Sequence, residues 1–316
     1  MVYCAAKFDI ADHLTQRSMN ADELAEVTGT HSPSLFRLLR GLVNIGILKA
    51  DSENRFSVTE LGELLRSDVN GSSKNLALLH MGPHYAAAGM LSHTIKTGET
   101  SFDRVFGCNY WQFMKTNTKE GEYFMKAQTE FTQAFVTQLT NSYNYNQFSN
   151  IVDVGGGNGS LLISILEKYP STKGVVFDEN DVIEKTAKIV EKSSVSDRCS
   201  VIAGNFFESI PANGDCYLMK HIVHDWDDEN VLVILRNIRK VMKPNGKLLV
   251  IDAVLPDNCN EKHPFIIEDV CLLHNMSGKE RTRKEFEYLF AESGFRAENI
   301  IIVNDCPLNI IEASIQ

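Results

Sequence analysis

From about residue 148 onward, short runs of β-branched and aliphatic residues alternate with longer stretches whose apolar positions recur every three or four residues. The runs at 150–154, 173–177, 199–203, 215–220 and 247–253 predict strands. The stretches 159–168, 180–192, 228–243 and 282–293 predict amphipathic helices between them. Strand–helix alternation at this spacing predicts a parallel sheet covered on both faces. Two late runs, 298–303 and 308–314, are joined only by NDCPLN. That link is too short for a crossover helix, so the last strands should pair antiparallel.

The first 145 residues follow another pattern. Asn20 can cap a helix ADELAEV, with Asp22 and Glu23 in its first turn, where the helix dipole favours acids. Gly29 closes that helix. Ser32 is expected to cap a second one, with Pro33 at its first position and Leu35, Leu38, Leu39, Leu42 and Val43 on one stripe. After Gly46 a strand begins, and DSENRFSV reads as a turn and a second strand. The whole predicts a winged helix. Residues 75–145 read as helical throughout, with Trp111, Phe113, Met114, Phe124 and Met125 as the large apolar groups. The change of pattern divides the chain into 1–145 and 146–316.

A winged helix can read DNA or serve packing and dimerisation. The second helix carries only Arg37 and Arg40 as cations, and the wing carries Arg55 between acids. A DNA reader needs several phosphate contacts, so packing or dimerisation is the expected role. The net charge of −10 argues in the same direction, and also against anionic membranes. Seven scattered cysteines without a C-x-x-C pair read as ordinary thiols in a reducing compartment rather than as metal ligands. No run of 18 apolar residues suggests a membrane span. The N-terminus lacks a basic n-region and a cleavage pattern, so a cytoplasmic location is expected.

Candidate chemistry lies in two segments. In IVDVGGGNG, the first strand of the alternating region runs into Gly155, Gly157 and Gly159, which permit a tight turn and close approach of a ligand. Nicotinamide and flavin sites also use glycine clusters. Here the G-x-G-x-G spacing is shorter than the dinucleotide fingerprint. Asp153 stands just before the glycines, where a carboxylate repels a pyrophosphate and attracts a cationic amino-acid group. The next strand ends in Asp178, placed to hold ribose hydroxyls. A ligand with a ribose, a zwitterionic tail and no phosphate fits, and S-adenosylmethionine is such a ligand. The second segment, MKHIVHDW, ends a later strand in His224, and Asp252 ends the strand after it. A lone histidine there could equally be a core residue bonded to backbone.

DVGGGNG, the VVFD strand end, MKHIVHDW and SGKERT at 277–282 resemble the class I S-adenosylmethionine-dependent O-methyltransferases of the plant caffeate and isoflavone type and their bacterial relatives. The resemblance runs from about residue 5 to the end. It implies an α/β fold with a Rossmann-like, seven-stranded, mostly parallel sheet whose last strand is antiparallel, plus a helical, winged-helix-type dimerisation domain. It implies that Asp153, Gly155 and Gly157 contact the methionine part of the cofactor, Asp178 the ribose, and Asn205 and Phe206 the adenine, with Lys220 beside them. His224 would be the base, flanked by Asp252 and by Glu280, which is expected to open a helix. Asn275 aligns with a substrate-contacting asparagine. Trp111, Phe124, Met125 and Gln128 would line the substrate pocket. The family usually has aspartate at Asn205, which implies weaker cofactor binding, and tends to have methionine at Gln128.

The chemistry is self-consistent. A sulfonium is already a good leaving group, so methyl transfer chiefly needs a nucleophilic oxygen. A phenol near pKa 10 is mostly protonated at pH 7. An imidazole can take its proton in the transition state, a contribution of about 10²–10⁴-fold. A carboxylate on the other ring nitrogen fixes the tautomer. No metal is called for. The expectation is therefore a homodimeric enzyme that methylates a hydroxyl of a small aromatic or polyketide-type compound, releases S-adenosylhomocysteine, and binds neither nucleic acid nor membrane. Two alternatives remain open at this point: the same fold and cofactor used for decarboxylation, hydroxylation or cyclisation, and a winged-helix DNA-binding regulator.

Overall fold

A computed structural model describes residues 1–316. The chain forms two compact units. One comprises Met1–Gly89 with Tyr110–Ala134, and the other Met90–Asn109 with Phe135–Gln316.

In the first unit the helix Ala21–Thr28 opens on a capping box. Asn20 Oδ1 accepts the Glu23 N–H at 2.9 Å, and the Glu23 carboxylate accepts the Asn20 N–H at 2.8 Å. Gly29 ends the helix at φ +65°, a left-handed cap that suits glycine. The next helix, Ser32–Asn44, starts one residue earlier than expected. His31 is its N-cap, and the Ser32 hydroxyl bonds Asp22 instead of capping. Strands β1 (Leu48–Ala50) and β2 (Phe56–Val58) pair antiparallel and form the wing. The wing's cation is committed inward: Arg55 bonds the Ser18 carbonyl at 2.7 Å and Glu23 at 2.9 Å. Leu24, Leu35, Leu39, Leu42, Leu48 and Phe56 are buried together in the core of this unit.

The region 75–145 is helical but broken. Six helices span it, from Lys74–His80 to the 24-residue Thr118–Asn141. The breaks fall where a helix cannot continue: Gly82–Pro83, Gly98 at φ +77° and Gly107 at φ +71°.

The second unit carries the sheet. Its strands are β3 (Asn150–Val154), β4 (Lys173–Asp178), β5 (Cys199–Ala203), β6 (Cys216–Lys220) and β7 (Lys247–Asp252). Two short strands follow, β8 (Val254–Leu255) and β9 (Arg281–Thr282), then β10 (Phe295–Ile302) and β11 (Asn309–Ile315). The seven-stranded sheet has the order β10-β11-β7-β6-β3-β4-β5. Strands β3 to β7 are parallel, while β11 is antiparallel to both β7 and β10. The order reverses between β3 and β6, so the carboxyl ends of β3, β4, β6 and β7 lie side by side. Val152, Val154, Tyr217, Met219, Leu248 and Val250 are fully buried on this sheet. Beside it, β8 and β9 make a two-stranded parallel ladder that ties the residues after Asp252 to those after Glu280.

Candidate active site

The glycine loop leaves β3 and bends back over the end of β4. Gly155 N–H donates to the Phe177 carbonyl at 2.8 Å, and Gly157 N–H to Asp178 Oδ2, also at 2.8 Å. The second Asp178 oxygen accepts the Glu179 N–H at 2.7 Å. Both carboxylate oxygens are thus anchored and still have lone pairs for a diol. Gly155, Gly157 and Gly159 all have positive φ. A Cβ on Gly155 would sit 2.3 Å from Ile222, and one on Gly156 2.8 Å from the Asp153 carboxylate. The loop is therefore a cradle that side chains would fill.

Asp153 is buried at the end of β3, and burial, only partly offset by Lys220, pushes its carboxyl up to about 7. Burial pushes Lys220 down to about 8 despite Asp252, Asp153 and Asp225. Burial also raises Asp178, against the two backbone N–H groups that favour its charged form. Phe206 lies near Gly155 and packs edge-to-face on Phe207 and Trp226. Asn237 holds this loop by donating to the Phe206 and Phe207 carbonyls, each at 3.0 Å. Asn205 is exposed. Its Oδ1 accepts the Phe207 N–H at 3.0 Å, and its amide donates to Glu208.

His224 sits in a single 3-10 turn, Val223–Asp225, directly after β6. Its ring has a carboxylate at each nitrogen: Glu280 Oε1 lies 2.7 Å from Nδ1, and Asp225 Oδ1 lies 3.4 Å from Nε2. Burial opposes its charged form, yet Glu280 and Asp225, with Asp252 further off, lift the imidazole to about 10. Asp225 and Asp252 are each pushed up to about 7 by burial. Glu280 and Asp252 are not equivalent. Asp252 is fully buried, and neither of its oxygens has a hydrogen-bond partner. Glu280 does not open a helix either. It precedes β9, and the following helix, Arg283–Ser293, is capped by Thr282 through a second capping box.

Four more residues build this centre, and three of them, Arg281, Gly278 and His221, were not singled out by the sequence reading. Asp269 Oδ1 accepts the Glu280 N–H at 2.8 Å. Arg281, buried to 1% exposure, bonds the carbonyls of Val223 at 2.7 Å and Trp226 at 2.8 Å and pairs with Asp228. Glu280 and Arg281 together therefore hold both the His224 ring and its turn. Gly278 approaches so closely that a Cβ would lie 1.9 Å from the His224 carbonyl oxygen. His221 packs against His224 with ring centroids 4.7 Å apart. Gly278, Arg281 and His221 lie in SGKERT and MKHIVHDW, and Asp269 lies on the helix Phe265–Asn275, but non-local packing decides their roles.

Asn275 is buried at the end of the helix Phe265–Asn275, with its Oδ1 unpartnered. Trp111, Phe124, Met125 and Gln128 belong to the first unit. There Trp111, Phe124 and Tyr110 form an edge-to-face trio, and Tyr110 bonds His84 at 3.0 Å. Met125 and Gln128 are half-buried on the helix Thr118–Asn141.

Residues 89–296 match the O-methyltransferase domain family, and residues 1–68 match the O-methyltransferase dimerisation domain. The chain belongs to the S-adenosylmethionine-dependent O-methyltransferases. This O-methyltransferase is 35% identical to a phenazine O-methyltransferase of Lysobacter antibioticus over 99% of its own length and 91% of the relative's. It is 33% identical to a mitomycin biosynthesis 6-O-methyltransferase of Streptomyces lavendulae, over 98% and 89%. Among solved structures, LaPhzM superposes with a TM-score of 0.96 at 35% identity, covering 100% of this chain and 94% of that one. An O-methyltransferase of neocarzinostatin biosynthesis, solved with S-adenosyl-L-homocysteine and 1,4-dihydroxy-2-naphthoic acid, superposes with a TM-score of 0.88 at 28% identity, covering 100% and 95%. The methyltransferase takes its methyl group from S-adenosylmethionine. No helix in it is long and apolar enough to cross a membrane.

Proposed function

We propose that this enzyme methylates a phenolic hydroxyl of a small aromatic or polyketide-type compound, with His224 as general base. The observation that carries the reading is the Nδ1–Glu280 contact of 2.7 Å on a turn that follows the strand beside the glycine loop. Glu280 fixes the ring's tautomer and favours the imidazolium that forms when Nε2 takes the acceptor's proton. Asp252 adds negative charge behind the ring. Relatives named as phenazine, aminohydroxybenzoate and dihydroxynaphthoate O-methyltransferases support an aromatic acceptor.

In this reading Asp178 holds the ribose, Asp153, Gly155, Gly157 and Lys220 surround the methionine part, and Asn205 and Phe206 flank the adenine. The bound cofactor supplies an electrophilic methyl on a good leaving group, and the chain's work is to align and deprotonate the acceptor. Asn275, Trp111, Phe124, Met125 and Gln128 contact the acceptor. Residues 1–145 dimerise the chain and wall the pocket, residues 146–316 carry catalysis, and the protein works as a cytoplasmic homodimer that binds no nucleic acid. The test is a screen of phenols with methyl-labelled cofactor. Label transferred to oxygen with stoichiometric S-adenosylhomocysteine is the expected result. Turnover of the acceptor without S-adenosylhomocysteine contradicts the reading.

A further inference from the structure

His221 is the residue that links the sheet to the catalytic turn. It follows β6 immediately, and its N–H still donates to the Ile251 carbonyl at 3.1 Å, continuing the ladder with β7. Its φ is +54°, a left-handed conformation that costs a side-chain-bearing residue free energy unless its surroundings enforce it. The ring is buried at 8% exposure. It packs against the His224 ring, centroids 4.7 Å apart with the planes tilted by 30°. Phe265 packs against it at 6.0 Å and 59°. A left-handed backbone and a tilted ring contact therefore meet in one residue beside the base.

We propose that His221 is a positioning residue: its ring, set by the left-handed backbone and backed by Phe265, is the flat support that holds the plane of the His224 imidazole, keeping Nδ1 on Glu280 and Nε2 available to the acceptor. This rests on His224 being the base. Glu280 lies at Nδ1 and Asp225 at Nε2, both at the ring's edge, so tilting of the ring out of its plane is limited by what packs against its face. Burial, together with the neighbouring Lys220 and His224, holds His221 well below the ordinary histidine range. It therefore stays neutral and adds no competing charge to the imidazolium beside it.

The test compares His221→Asn with His221→Phe in the full-length enzyme. Asparagine accepts a left-handed backbone and removes the ring, whereas phenylalanine keeps a flat ring and removes its nitrogens. One readout is the low-field proton resonance of His224 Nδ1–H bonded to Glu280, which needs no turnover. The other is the kcat and KM split. The expected result is a resonance present in wild type and H221F and lost in H221N. With it, kcat in H221N falls about ten- to a hundredfold, while KM stays within about twofold and H221F stays near wild type. If H221N does not fold, H221L reads the same contrast. A resonance that survives removal of the ring overturns the proposal, and so does equal loss in H221F. A lost resonance with unchanged kcat leaves the positioning intact and removes His224 from the mechanism, so the two readings fail separately.

Discussion

Glu280 Oε1 lies 2.7 Å from His224 Nδ1, although the two residues are 56 positions apart. The contact joins the end of β6 to the residue that enters β9, and it sets how tightly the imidazole keeps its proton. Glu280 and Asp225 hold His224 at about 10 against the effect of burial. A base must be unprotonated to act, so kcat/KM should rise with pH across the range from 7 towards 10. Glu280→Gln removes the nearer negative charge. The rising limb should then move to lower pH, while the plateau drops at least about tenfold as the tautomer loses its anchor. A pH profile of kcat/KM for both enzymes checks this, and a limb that stays in place would show that Glu280 does not govern the base.

The buried acids predict an unusual stability profile for the cofactor-free enzyme. Asp153, Asp225 and Asp252 are raised to about 7 in the folded chain. Their contribution is full below the unfolded value near 4 and is lost as pH rises through about 7. That of His224 is full below about 6.5 and lost as pH rises through about 10. Lys220, lowered to about 8, works the other way, with a contribution present above about 10.5 and lost as pH falls through about 8. The three acids lower Tm as pH rises towards 7, His224 continues the fall above that, and Lys220 offsets His224 above about 8, so Tm should fall between about pH 5 and 8 and then level off. Asp252→Asn should flatten this fall and raise Tm at pH 8 by roughly 2–4 °C, since about 1 kcal/mol or more of buried-charge cost is removed. Thermal melts across this window decide it; a Tm that climbs with pH contradicts the account.

Two glycines should separate catalysis from cofactor binding. Gly278→Ala places a Cβ 1.9 Å from the His224 carbonyl and 2.5 Å from the Asp225 carbonyl carbon, so backbone must move. The expected loss is about 10²-fold in kcat, with S-adenosylhomocysteine affinity kept. Gly155→Ala strains a residue at φ +70° and crowds Ile222. It should weaken S-adenosylhomocysteine binding instead. Calorimetric titration with S-adenosylhomocysteine, paired with initial rates, separates the two effects, and an identical pattern in both variants would refute the division.

The parallel strands were legible because each is a short run rich in aliphatic residues between helical stretches, and the NDCPLN link forced the antiparallel end, although β10 starts at Phe295, before the predicted run, through the mixed residues FRAEN. The glycine loop and the acids at its strand ends were legible too, since a turn after a strand is set by local residues. What the sequence hid was non-local. Ser32 has the right type for an N-cap, but its hydroxyl finds Asp22, and His31 takes the cap position. Asp252 and Glu280 read alike as flanking acids, yet only β9 pairing and the Asp269 contact bring Glu280 onto the ring. Arg281 drew no reading of its own, yet it is among the most buried side chains, donating to the Val223 and Trp226 carbonyls. His221 gives no local hint of a positive φ.

The central claim is that the His224 imidazole removes the acceptor's proton. The most direct measurement is single-turnover methyl transfer by His224→Ala to a phenol that the wild type methylates, with S-adenosylhomocysteine affinity measured on the same preparation. The account predicts a loss of about 10²–10⁴-fold in rate with cofactor affinity unchanged. Wild-type transfer by this variant with cofactor still bound would contradict it.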